Sequence, residues 1–130
     1  MKTGRFMCDQ AGAAAVEFAL VSTAFLAMTI GLCYIGIMLF NNMSLQWAVE
    51  KAARVAEISP AATQSDIASA VNSYLASEGL PNATVTYSSS VSANATTATI
   101  TASYSQTYAL PMISTFNLNF SSNLTVPLAS

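Results

Sequence analysis

The sequence predicts an α+β chain: a long N-terminal transmembrane helix extending into a small head with a short second helix and an antiparallel sheet of about three strands. Three observations carry this. Residues 18 to 40 form an apolar run of 23 residues broken only by Ser22, Thr23, Thr29, Gly31 and Gly36. A helical apolar period then continues to Ile58 and resumes after Pro60. Beyond Gly79 the period changes to two, with no charge in the last 52 residues.

Each element follows in order. At ~1.5 Å per residue the 23-residue run reaches about 34 Å as a helix, against a bilayer hydrocarbon core of roughly 30 Å. A globular core helix of that length would need a polar stripe, and FALVSTAFLAMTIGLCYIGIMLF has none. The run is also too long for a removable secretory signal, whose apolar region extends for about 7 to 15 residues. From Asn41 to Ile58 there is no Gly or Pro, and Leu45, Ala48, Ala52 and Val55 recur at spacings of three and four. Pro60 is the expected stop, because the residue before a proline is pushed out of the α region. Thr63 followed by Asp66 announces a capping box for the second helix, with Ile67, Ala70, Val71, Tyr74 and Leu75 as its apolar face. Gly79 and Pro81 end it. Val85, Tyr87 and Val91, then Ala98, Ile100, Ala102, Tyr104 and Tyr108, then Leu118, Phe120, Leu124, Val126 and Leu128, alternate with Ser, Thr and Asn. This is the pattern of antiparallel strands with one dry and one wet face. The outer part of the first helix and the second helix are the candidates to cover the dry face.

Composition narrows the function. Of 130 residues, 53% are apolar and 8% charged, the reverse of a disordered chain. Four Lys or Arg stand against six Asp or Glu, so no basic patch offers phosphates a partner and nucleic-acid binding is not expected. The chain has no His, which removes the commonest general base and metal ligand. Glu17, Glu50, Glu57, Asp66 and Glu78 form no ligand-spaced cluster, and no Gly-rich phosphate loop occurs. The sequence therefore predicts no enzyme, no cofactor and no metal. Cys8 and Cys33 are its two cysteines, and neither suggests a disulfide framework or a nucleophile.

The sharpest motif is Gly12-Ala13-Ala14-Ala15-Val16-Glu17-Phe18, in which a carboxylate stands at the threshold of the apolar helix, five residues after a glycine. A charge inside the bilayer costs about 2.5–3.5 kcal/mol at mid-depth and less near the surface, so such an acid either has a partner or lies in the headgroup region, favoured by the helix N-terminal dipole. GAAAVEFALV resembles the opening of the TadE-like family, the type IV pilin-like minor pilins or pseudopilins of tight-adherence (Tad) pilus systems. Gln46 to Glu57, QWAVEKAARVAE, is similar to the stretch after that family's membrane helix. Tyr104 to Pro111 is similar to an aromatic-rich strand near its C-terminus. The resemblance implies cleavage between Gly12 and Ala13 by a membrane-embedded prepilin peptidase. Ala13 then becomes the N-terminus and Glu17 its fifth residue, paired with the new amine of a neighbouring subunit. Glu17 and Phe18 are thereby implied as assembly residues. Thr23 stands where many relatives carry a kinking Pro, which implies a straighter helix.

These readings divide the chain into a leader (1–12), a membrane helix with its continuation (13–58) and an extracytoplasmic α+β head (59–130). Thr23, Ala27 and Gly31, small residues at four-residue spacing, are the expected packing surface for another membrane helix. The expected partners are the prepilin peptidase, other pilin or pseudopilin subunits, inner-membrane assembly proteins and lipid. Lys and Arg are two on each side of the span, and the short arm with Lys2 and Arg5 favours a cytoplasmic N-terminus. The expected location is the bacterial inner membrane, with passage into a pilus after assembly. The alternative is a binding module whose uncharged head meets a wall polymer, sugar or outer-membrane partner, the helix being a passive anchor. Trp47 and Tyr34 are candidates for interface anchoring, and Trp47 equally for packing on the sheet.

Overall fold

A computed structural model describes residues 10–59, 61–92, 95–109 and 114–128. In chain order it contains α1 (Gln10–Ile58), α2 (Gln64–Ser77), β1 (Thr84–Ser92), β2 (Ala95–Tyr108) and β3 (Phe116–Leu128). The strands form one antiparallel sheet in the order β1-β2-β3. The α+β class, the two helices and the three strands are those the sequence predicts. The chain divides into two compact units between Met38 and Leu39.

In the first unit every large apolar side chain that α1 carries from Val16 to Ile37 is turned outward, with Phe18 at 74% exposure. The hydroxyls in this stretch are satisfied within the helix. Ser22 and Thr23 donate to the Ala19 carbonyl at 3.0 and 2.7 Å, and Thr29 donates to the Phe25 carbonyl at 2.9 Å. Such back-bonding lets a hydroxyl enter an apolar surrounding without an unmet donor.

The second unit holds the core. Leu45, Ala48, Val49, Ala52, Ala53 and Ala56 form the buried stripe of α1. Val55 was expected in that stripe, but it lies on its flank and is 37% exposed. The Ser59 amide donates to the Val55 carbonyl at 3.0 Å and closes the last turn, while Pro60 lies outside the described residues. On α2, Ile67, Val71 and Leu75 are fully buried, and Ala70 and Tyr74 are half-buried. Both ends of α2 use the predicted chemistry. The Asp66 amide donates to the Thr63 hydroxyl, and the Thr63 amide donates to the Asp66 carboxylate at 2.9 Å. Gly79 sits at φ +71°, a left-handed position that favours glycine. There the Gly79 amide donates to Ala76 and the Leu80 amide to Leu75, the paired bonds of a Schellman C-terminus.

The register makes the two faces of the sheet chemically distinct. On the dry face, Val85 pairs with Ala102, Tyr87 with Ile100 and Ser89 with Ala98, and β3 adds Ser122, Leu124 and Val126 to those rungs. On the wet face the rungs read Thr84-Ser103-Ser121, Thr86-Thr101-Asn123 and Ser88-Thr99-Thr125. Burial falls along β1 from Val85 through Tyr87 to Val91, which is 82% exposed despite its apolar parity. The helical cover therefore reaches the start of β1 and not its end. Pro127 is tolerated because β3 is an edge strand.

Candidate functional site

The predicted processing and assembly residues lie together on the first turns of α1. Gly12, Ala13, Glu17 and Phe18 are all exposed, and α1 begins at Gln10, so the Gly12–Ala13 bond falls within helical residues. Ala13 and Glu17 are one turn apart on the same face, separated by ~6 Å of helical rise. At about 100° per residue, Gly31 falls within about 40° of Glu17, Ala27 within about 80° and Thr23 within about 120°, while Phe18 turns about 100° the other way. Gly31 and, less closely, Ala27 thus lie toward the Glu17 side of the helix, while Thr23 and Phe18 diverge to either side of it. A Cβ added at Gly31 meets nothing within 4 Å, so this unit does not itself require the glycine. Thr23 presents its methyl rather than its hydroxyl, which is held by Ala19.

A polar cluster that the sequence reading missed lies where the second unit begins. Asn41 is 3% exposed. Its side-chain amide donates to the Tyr108 hydroxyl at 2.6 Å and to the Gln106 side-chain oxygen at 3.0 Å. The Tyr104 hydroxyl donates to the Asn41 carbonyl at 3.3 Å. The two tyrosines are braced by stacking on β3, Tyr104 on Phe120 at 5.2 Å and Tyr108 on Phe116 at 5.7 Å between ring centroids. Burial, reinforced by the neighbouring Tyr108, pushes the Tyr104 hydroxyl up to about 12, so it remains a neutral donor at any physiological pH. This cluster clasps α1 to β2. Its sequence signal was an asparagine placed directly after an apolar run, together with two tyrosines four apart on the dry face of a strand.

A shallow hollow of about 420 Å³ opens beside the clasp, lined by Phe40, Met43, Ser44 and Trp47 of α1 and Tyr74 and Glu78 of α2. The Lys51 ammonium stands 4.5 Å from the Tyr74 ring centroid. Trp47 is 54% exposed, so it is not part of the packing against the sheet. Among the described residues, no three His, Cys, Asp or Glu side chains are grouped so as to hold a metal ion.

Among the described residues one helix is long and apolar enough to cross a membrane, with a mean hydropathy of 2.0 in its most apolar stretch. That helix, followed by a small α+β unit with an uncharged sheet, fits a protein carrying a single-pass membrane anchor. The family model for TadE-like proteins matches residues 12–54, and over that stretch the chain is similar to that family. The match begins at Gly12, takes in the whole apolar run and ends in the stretch Gln46–Glu57 that resembles the same family. The Tyr104–Pro111 segment lies beyond it. No curated protein and no solved structure matches the chain.

Proposed function

We propose that the chain is a structural, pseudopilin-like subunit associated with a Tad pilus, made as a precursor and trimmed between Gly12 and Ala13. The observation that carries this reading is the placement of Glu17: one turn from Ala13, exposed, on the side of α1 that also presents Ala27 and Gly31, at the head of 32 uncharged residues. Hydrolysis adds water across the Gly12–Ala13 bond, leaving a carboxylate on Gly12 and an ammonium on Ala13. In a low-dielectric edge the ammonium and the Glu17 carboxylate of an adjacent copy each relieve the other's desolvation, and they do so only when the subunits stack in register. Small residues on the same side let the neighbouring helix approach, so packing and charge pairing select one arrangement.

Gly12 also suits the cleavage step. A peptidase needs an extended backbone at the scissile bond, and glycine costs a helix about 1 kcal/mol relative to alanine, so the first turn of α1 opens most readily there. The uncharged outer sheet suits close stacking of copies, since like-charge repulsion between them is small. The location that goes with this function is the inner membrane, with the N-terminus in the cytoplasm and the second unit outside. The partners are the prepilin peptidase and other pilus subunits. No chemistry is assigned to the chain itself.

The direct test is the N-terminus of the protein isolated from membranes of cells that also carry a prepilin peptidase. The expected mass begins at Ala13. An intact N-terminal segment in the presence of active peptidase refutes processing and leaves a passive anchor.

A further inference from the structure

We propose that Phe40, Met43 and Trp47 of α1, with Tyr74 of α2, form a seat for the phospholipid headgroup layer, holding the second unit against the bilayer surface. The proposal rests on the membrane reading of the apolar run and goes beyond it by assigning a lipid contact to the folded unit. Phe40, Met43 and Trp47 are 50%, 57% and 54% exposed. They recur at intervals of three and four on one side of α1, while Leu45, Ala48 and Ala52 on the other side are fully buried. About half of each of these side chains is left uncovered by the described residues of the second unit.

Their position identifies the occupant. Phe40 is the last residue of the apolar run, and no charge intervenes before Glu50 and Lys51. From Phe40 to Trp47 the helix rises ~10 Å, and its side chains lean back toward the N-terminus, so the Trp47 ring covers less than that height. The headgroup layer is about 5–8 Å thick on each side of the hydrocarbon, so the strip falls at its depth. Trp and Tyr suit that layer, with an apolar ring and one polar group for the wet side. Lys51, whose ammonium stands over the Tyr74 ring, adds a cation on the watery side of the strip, and Glu78 lines the hollow. A second protein copy is a poorer occupant: four side chains fall well short of the roughly 20–30 residues per side in a stable interface.

Trp47 is the chain's one tryptophan, so its emission reports this site alone. The test uses the full chain with Cys8→Ser in vesicles of phosphatidylethanolamine and phosphatidylglycerol. The lipids are brominated either near the glycerol end or near the acyl-chain centre. The seat predicts quenching of Trp47 at least about twofold stronger with the shallow bromines, independent of protein-to-lipid ratio, together with weak quenching by aqueous iodide. Failure of both bromine positions to quench, with full iodide access, overturns it. So does protection that appears only at high protein-to-lipid ratio, which assigns the strip to a second copy. The remaining thiol, exposed Cys33 in the apolar run, separates the two readings. If Cys33 resists a membrane-impermeant maleimide while Trp47 goes unquenched, the span stands and the seat fails. If Cys33 reacts, both fall.

Discussion

Replacing Asn41 by alanine tests whether the clasp at the start of the second unit holds helix to sheet. The substitution removes two side-chain hydrogen bonds, at 2.6 Å to the Tyr108 hydroxyl and 3.0 Å to Gln106, from a residue only 3% exposed. A buried intramolecular hydrogen bond contributes about 0.5–1.5 kcal/mol net, so the expected loss is roughly 1–3 kcal/mol. The Tyr104 bond is made to the Asn41 backbone carbonyl and survives. The assay is amide hydrogen exchange along β2 in detergent micelles. The expected loss corresponds to a rise of about 5- to 150-fold in the opening constant, since each ~1.4 kcal/mol is tenfold. The double-mutant cycle with Tyr108→Phe isolates the shorter bond and should return a coupling of about 0.5–1.5 kcal/mol. If Asn41→Ala leaves β2 exchange unchanged within about twofold, or if the two substitutions are additive within about 0.3 kcal/mol, the clasp does not fasten α1 to the sheet.

Two titrations add independent checks. Hydrogen bonds from the Thr63 backbone and side chain hold the Asp66 carboxyl below its ordinary value. That contribution is present above the unfolded carboxylate range near pH 4 and fades as the pH falls through the folded value. Thr63→Ala should destabilise α2 by about 1 kcal/mol at pH 7 and flatten this acid-side loss, as read from thermal unfolding at pH 7 and in the pH 2–4 range. An acid-side profile identical to that of the unmodified chain would contradict the capping box. Tyr104 behaves oppositely. Its folded value of about 12 stands above the ordinary 10. The folded state then binds more protons than the unfolded between those values, so stability should decline from about pH 10 upward. Tyr104→Phe should reduce that decline, and an equal alkaline loss in the variant would place its origin elsewhere.

The chain's architecture was readable because each element announced itself in a different period. The apolar run left no polar stripe, the second helix carried a capping pair and a terminal glycine, and the strands alternated over residues that bear no charge. Ala98, Ile100, Ala102, Tyr104 and Tyr108 are buried as their parity predicts, and the register pairs them with the dry side chains of β1 and β3. Val91 and Val55 escaped because periodicity gives the direction a side chain faces and not how far the covering layer extends. The Asn41 clasp escaped for a related reason. Its members are more than sixty residues apart, and a lone asparagine after an apolar run reads equally as a turn or a cap. At the N-terminal edge the types and spacing of Gly12, Ala13, Glu17 and Phe18 were legible. The separation of Phe18 from the face shared by Glu17, Ala27 and Gly31 required the helix.

On the proposed reading, Glu17 acts in assembly because a cleaved neighbour supplies its counter-charge. The most direct measurement is the amount of Glu17→Gln protein recovered in assembled fibres, relative to the membrane pool, with the N-terminus of both pools determined. Normal insertion, cleavage to Ala13 and a fall in the assembled fraction of at least about tenfold are expected, equivalent to ~1.4 kcal/mol of lost pairing. An assembled fraction equal to that of the unmodified chain would contradict that reading.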